Sequence, residues 1–406
     1  MEQKDEIILI NINGTDRPGV TAALTEILAK NNAVILDIGQ ADIHNNLSLG
    51  ILFQSSEGNS GDILKELLFK SYELDVNIRF NPISEEAYNQ WVSMQGKNRY
   101  IITILGRKLT ARQIAGVTRI VADQDMNIDD IKRLTGRIPL DENARTPKAS
   151  VEFSVRGTPR DKEQMKADFM KLSAEQEMDI SFQEESMFRR MRRLICFDMD
   201  STLIETEVID ELAIRAGVGD EVKAITESAM RGEIDFTESF TRRVALLKGL
   251  DESVMQEIAE SLPITEGVER LMYVLKKYGY KIAILSGGFT YFGQYLQKKY
   301  GIDYVYANEL EIIDGKLTGR YLGDVVDGKR KAELLRLIAQ VEKVDIAQTI
   351  AVGDGANDLP MLGVAGLGIA FHAKPKVVAN AKQSINTIGL DGVLYFLGFK
   401  DSYLNM

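Results

Sequence analysis

Asp198 and Asp200 follow the apolar run Leu194-Ile195-Cys196-Phe197, so two carboxylates two positions apart leave the end of a strand-like segment. In extended backbone, residues i and i+2 project to the same side, which would put both acids in one small volume. Two unit charges ~4 Å apart repel by about 4 kcal/mol at an effective dielectric of about 20, so the pair calls for a divalent cation. Two further apolar runs end in reactive residue types. Ile282 to Leu285 leads into Ser286-Gly287-Gly288, a hydroxyl beside N–H groups that an anion can approach closely because the glycines lack a side chain. Thr349 to Val352 leads into Gly353-Asp354-Gly355-Ala356-Asn357-Asp358, a tight acidic turn, and Lys331 offers a fixed positive charge upstream of it.

Short apolar runs separated by long helical patterns are the signature of a doubly wound parallel sheet, whose ligand crevice lies beyond the carboxyl ends of the strands. Between the first run and Pro263 the periodicity is helical over Val208 to Ala216, Glu221 to Met230 and Phe236 to Leu247, which reads as a helical insertion after the first strand. The expected C-terminal domain spans 190–406, with the insertion a small cap over about 204–262.

The chain upstream reads as two βαββαβ units, 1–82 and 98–185, giving an α/β protein of three domains. In the first, Glu6 to Ile12 is a strand and Gly14-Thr15-Asp16-Arg17-Pro18-Gly19 a turn. Val20, Leu24, Ile27 and Leu28 then form a helical stripe. The second repeats the order from Tyr100, with Arg107-Lys108-Leu109-Thr110 at the corresponding turn. Pro82 to Asn98 looks like a connector, and Gly136 to Lys148 like a long exposed hairpin loop.

Of 406 residues, 49 are basic and 60 acidic, a net charge of −11 that argues against nucleic acid or an anionic membrane surface as the main partner. One cysteine, Cys196, excludes an intrachain disulfide, and two histidines far apart make a His/Cys zinc site improbable. The stretch Met1 to Glu6 is acidic, with no secretory h-region after it and no apolar span of about 18 residues, so a cytoplasmic protein is expected.

Asp198-x-Asp200-x-Thr202, Ser286, Lys331 and Gly353-Asp354-x-x-x-Asp358, in this order, resemble the motifs of the haloacid dehalogenase superfamily. With Glu207, Ile209-Asp210-Glu211-Leu212-Ala213 and Arg242-Arg243-Val244-Ala245-Leu246-Leu247 the resemblance narrows to the phosphoserine phosphatases, from about Arg193 to the C-terminus. The two upstream units resemble ACT domains of ferredoxin-like fold. The resemblance implies hydrolysis of phosphoserine through an aspartyl phosphate, with Asp198 as nucleophile and Asp200 as general acid and base. It implies Mg²⁺ at Asp198, Asp354 and the Asp200 carbonyl, with Asp358 behind them. Ser286, Gly287, Gly288, Lys331 and Asn357 would hold the phosphate. Glu207 would meet the substrate ammonium and Arg243 its carboxylate, with Met230 and Phe236 as the apolar wall. A homodimer is expected, with Asp16, Arg17 and Gly19 as the turn for an L-serine effector. On the residues alone three readings stay open: this phosphatase, a phosphatase or phosphotransferase for another small phosphorylated amino acid, and an amino-acid sensor on a weakly active scaffold.

Overall fold

Alternation of buried and outward side chains makes β1 (Glu6–Thr15) a half-buried strand, with Ile8, Ile10 and Ile12 inward. In the computed structural model, which describes residues 5–56, 60–94, 96, 98–137 and 147–404, it is followed by α1 (Val20–Lys30), β2 (Val34–Ile43), β3 (Asn46–Ser55), α2 (Ser60–Glu73) and β4 (Val76–Ile83). The antiparallel sheet runs β2-β3-β1-β4. The stripes Val20, Leu24, Leu28 of α1 and Ile63, Leu67 of α2 close its inner face, each buried side chain contributing about 1.5–3 kcal/mol.

The segment read as a connector holds a helix, α3 (Glu85–Ser93), capped by Ser84, whose side chain accepts from the Ala87 N–H, with Glu85 and Glu86 in its first turn. It buries none of its side chains, so no apolar stripe marks it in the sequence.

Residues 1–97 and 98–406 are two compact units. The second begins with the same βαββαβ order: β5 (Arg99–Gly106), α4 (Ala111–Asp123), β6 (Asn127–Arg133), β7 (Ala149–Arg156), α5 (Lys162–Gln176) and β8 (Asp179–Glu184), with sheet order β6-β7-β5-β8. Most of the loop expected over Gly136 to Lys148 lies outside the described residues.

After the short α6 (Met187–Arg190), the chain enters β9 (Leu194–Phe197), then α7 (Val208–Ala216), α8 (Gly219–Met230), α9 (Phe236–Ala245) and α10 (Ser253–Glu260), the helical insertion. The remainder is α11 (Val268–Lys277), β10 (Lys281–Phe289), α12 (Thr290–Tyr300), β11 (Tyr304–Ile313), β12 (Lys316–Leu322), α13 (Gly328–Val341), β13 (Thr349–Gly353), α14 (Leu359–Val364), β14 (Leu367–Phe371), α15 (Pro375–Asn380), β15 (Gln383–Ile385) and α16 (Gly392–Phe396).

The seven-stranded sheet has the order β12-β11-β10-β9-β13-β14-β15, with β9 paired in parallel to β10 and β13. Every residue of β9 is buried, because helices cover both faces. Leu194 and Cys196 pack with Leu334, Leu335 and Ile338 of α13, while Ile195 and Phe197 belong to the opposite core. Burial pushes the Cys196 thiol pKa well up and makes it inert packing.

The second ferredoxin-like sheet is bonded to this domain. The Asp179 carboxylate accepts from the Asn386 and Thr387 N–H groups at 2.8 and 3.0 Å, and Gln383 bridges both main-chain groups of Phe182. Among the described residues no helix is long and apolar enough to cross a membrane.

Candidate active site

Asp198 leaves β9 at the centre of the sheet, its N–H donating to the Val352 carbonyl of β13 at 2.9 Å. Its side chain is pinned at both oxygens: Oδ1 accepts from the Met199 N–H at 2.7 Å, and Oδ2 faces Lys331 Nζ at 2.9 Å. Lys331, in the first turn of α13 and wholly buried, also donates to Asp358 Oδ1 at 2.7 Å. Asp358 Oδ2 accepts from the Gly355 N–H at 2.9 Å, which closes the turn after β13. Asp354 on that turn accepts from Thr202 Oγ1 at 3.0 Å.

Carboxylate oxygens of Asp198, Asp354 and Asp358 lie within 4.8 Å of one another. Three acids around one ammonium leave an excess of negative charge, and an all-oxygen donor set fits a hard cation. The titration of the acids registers the same imbalance. Asp354 is pushed up to about 7 by burial and by the Asp198 charge, and Asp358 to about 8 for the same two reasons. Burial alone would lower the Lys331 pKa, but Asp198 and Asp358 outweigh it and keep the side chain an ammonium.

Asp200 departs from the expectation that both acids of the first motif share one volume. The strand ends at Phe197, and Ser201 takes a φ of 55°, so the chain turns instead of staying extended. The Asp200 carboxylate is not in the converging acid cluster. Its Oδ1 accepts from the Val208 N–H at 2.9 Å, and its Oδ2 from Ser286 Oγ at 3.4 Å. What Asp200 has left for a cation is its main-chain carbonyl. Its pKa lies well above the usual carboxylate range, through burial and then the charges of Glu207 and Asp198, which favours its protonated form.

Ser286, Gly287 and Gly288 end β10 against this group. A Cβ on Gly288 would lie 2.2 Å from Asp200 Oδ2, and one on Gly287 would lie 3.0 Å from Phe236 Cζ of the cap and 3.8 Å from Asn357 Nδ2. The glycines are therefore required by close approach, and Phe236 and Asn357 flank the same opening. Glu207, at the start of α7, accepts from Ser201 Oγ at 2.9 Å and keeps open surface. Its pKa is raised by desolvation and by the charges of Asp198 and Asp210, against the opposing pull of the Ser201 hydroxyl and of Arg243. Arg243 Nε donates to the Ser239 carbonyl at 3.3 Å. The side chain of Met230 lies outside the described atoms.

Three family models match the chain: ACT domains over residues 6–81 and 99–183, and a haloacid dehalogenase-like hydrolase over 192–366. A phosphoserine phosphatase of Streptomyces coelicolor is 40% identical over 96% of this chain and 92% of its own length. The chain belongs to the phosphoserine phosphatase family. A second relative, phosphoserine phosphatase SerB2 of Mycobacterium tuberculosis, is 39% identical over 96% of this chain and 93% of its own length. The unliganded crystal structure of a probable phosphoserine phosphatase from Vibrio cholerae matches with a TM-score of 0.58 and 35% identity, over 75% of this chain and 87% of that one.

One buried residue of this phosphoserine phosphatase site carried no motif signal. Asn308, 2% exposed, donates from Nδ2 to the Gly287 and Gly288 carbonyls at 2.8 and 3.2 Å and accepts at Oδ1 from the Val326 N–H at 2.8 Å. It holds the Gly287-Gly288 turn in place. An asparagine within the strand Tyr304–Ile313 was the available hint, since a buried amide must satisfy both ends.

Proposed function

We propose that this chain hydrolyses O-phospho-L-serine to L-serine and phosphate, the step that completes L-serine formation, with Asp198 as the phosphoryl acceptor. The observation that carries the reading is the position of Asp198, clamped by Lys331 within an acid cluster, with the Asp200 carboxyl held apart from that cluster by the Val208 N–H and Ser286 Oγ.

An Asp198 oxygen attacks phosphorus, and the bond from phosphorus to the serine oxygen breaks. Asp200 delivers its proton to that oxygen, so serine leaves neutral at its hydroxyl. Water then attacks the aspartyl phosphate, Asp200 takes its proton, and the bond to Asp198 breaks to release phosphate. Lys331, Ser286 and the Gly287 N–H orient the phosphoryl oxygens throughout, the Gly288 N–H holding Ser286 Oγ at 2.9 Å, with Asn357 at the rim.

Mg²⁺ is the cation we assign to Asp198, Asp354 and the Asp200 carbonyl, where it would offset the repulsion between an anionic phosphate and an anionic nucleophile. Asp358 is assigned a role behind these ligands, holding Lys331 through Oδ1 and the turn after β13 through the Gly355 N–H. Glu207 and Arg243 read the ammonium and carboxylate of the substrate, and Phe236 walls its carbon chain.

Regulation by L-serine belongs to the same proposal. In the first ACT domain, Gly19 enters α1 with a φ of 95° and no side chain caps the helix, so no side chain competes with a carboxylate for the N–H groups of its first turn. A homodimer is supported by the edge strand β2, which exposes Val34, Ile38 and Ile43.

Turnover of phosphoserine, phosphothreonine and p-nitrophenyl phosphate with Mg²⁺ tests the proposal. A kcat/KM at least ~10-fold higher for phosphoserine is expected, because a site built for two charged groups rejects analogues that leave them unpaired. Equal rates on all three would remove Glu207 and Arg243 from substrate recognition. A preference for another phosphorylated amino acid would transfer the assignment to that substrate.

A further inference from the structure

The turn between the first strand and first helix is built differently in the two ACT domains. In the first it leaves the N-terminus of α1 without a side-chain cap. In the second, Thr110 Oγ1 accepts from the Gln113 N–H at 3.2 Å and Gln113 Oε1 accepts from the Thr110 N–H at 2.8 Å, a closed capping box. The Thr110 and Gln113 N–H groups, two of the donors at that helix start, are engaged there already.

Arg107, on the same turn, reaches out of its own domain. Its Nη1 and Nη2 donate to Glu266 Oε1 and Oε2 at 2.9 and 2.7 Å, a two-pronged guanidinium–carboxylate pair. Glu266 lies on the linker that returns from the cap to the sheet. That linker is laced to the outgoing one: the Glu205 N–H donates to the Pro263 carbonyl at 2.9 Å, the Thr265 N–H to the Leu203 carbonyl at 3.1 Å, and Ile204 bridges to Ile264. Glu266 is also held through its main chain, its carbonyl accepting from the Leu390 N–H at 2.7 Å.

The outgoing linker is short and ends on the site. Ile204 bridges to Asp200, and Glu207 begins α7 three residues further on. The orientation of the crossed linkers therefore sets where the cap carries Glu207 relative to Asp198 and Asp200. An inter-domain contact on the return linker bears directly on that geometry.

We propose that Arg107 is a positioning residue: by gripping Glu266 it fixes the crossed linkers of the cap, so that the effector turn of the second ACT domain serves as a clamp on the cap hinge instead of a ligand site. This rests on the phosphoserine reading for its kinetic consequence and on geometry alone for its structural one. A substrate read by the cap feels the clamp, whereas one held by its phosphate alone does not.

The test is a double-mutant cycle in the full-length protein with Arg107→Ala, Glu266→Gln and both together. Each single change is expected to raise KM for phosphoserine by about 3- to 5-fold, the range for an exposed charge pair of good geometry, and to leave p-nitrophenyl phosphate turnover within about 2-fold. The double variant should be no worse than either single one. Amide hydrogen exchange over 203–206 and 263–268 should quicken in all three variants. Unchanged exchange, additive losses, or equal losses on both substrates would overturn the clamp. If the wild-type protein did not turn over phosphoserine, the functional proposal would fail, and the exchange measurement would still decide the clamp.

Discussion

At the carboxyl ends of β9 and β13, Asp198, Asp354 and Asp358 cluster with one ammonium, that of Lys331, which pairs with Asp198 and Asp358. Beside α11 and α16 the ratio is different. Fully buried Asp391 accepts from Lys148 at 2.6 and 2.7 Å and from Arg270 at 2.8 Å, and Arg270 reaches Asp401 at 2.6 Å as well. Two acids meet two cations there. Burial works against the Arg270 cation, but its bonds to Asp391 and Tyr395 outweigh the cost and raise its pKa. In the first cluster it is the acids that are raised, Asp354 to about 7 and Asp358 to about 8. A balanced cluster joins two domains, because Lys148 comes from the second ACT domain. An unbalanced one stores a demand for positive charge that a cation and a phosphoryl transfer can use.

Removing one acid from each cluster should have opposite consequences, and the first gives the largest effect. Asp198→Asn is expected to cut kcat on phosphoserine by about 10³-fold or more, since no other group can accept the phosphoryl. Its thermal stability without metal should hold or rise, because like charge has been removed. In Asp391→Asn, two cations lose their carboxylate, so about 3 kcal/mol of stability should be lost while kcat of the folded fraction is kept. Thermal melts and active-site-normalised rates on the two variants check both statements. Equal destabilisation in the two would erase the contrast.

Titration sharpens the same comparison. A carboxyl raised in the folded state contributes stability that is present at acid pH and is lost as pH climbs through the folded value. For Asp354 and Asp358 the window opens near the unfolded value, about pH 4, and closes at the folded values of about 7 and about 8. Metal-free protein should lose on the order of 2 kcal/mol between pH 6 and 9, and saturating Mg²⁺ should flatten that slope. Chemical denaturation at several pH values, with and without Mg²⁺, measures it. The smallest effect belongs to the exposed pair: Arg107→Ala should change stability by less than about 1 kcal/mol, so that its influence on phosphoserine KM is separable from folding.

Much of this architecture was legible along the chain because its signals are local. Alternation in β1, the stripe of α1 and the fully apolar β9 each report burial from neighbours in sequence. The acidic motifs were legible because each follows its own strand. Asp200 was read too simply, since its carboxylate is drawn to the Val208 N–H across the cap linker, where the chain turns at Ser201, and not placed by extended geometry. Asn308, Arg107 and Asp391 were not legible, because their partners lie eighteen to more than two hundred residues away and only the folded chain brings them together. Helix α3 was missed because its stability comes from Ser84 and two acidic residues, with no buried side chain to set a period.

The covalent step is the claim to test most directly. Acid-quenching the enzyme during turnover of phosphoserine with Mg²⁺, followed by peptide mapping, should find a phosphoryl group on the peptide that carries Asp198. Turnover at full rate with that peptide unmodified at every quench time would contradict the account.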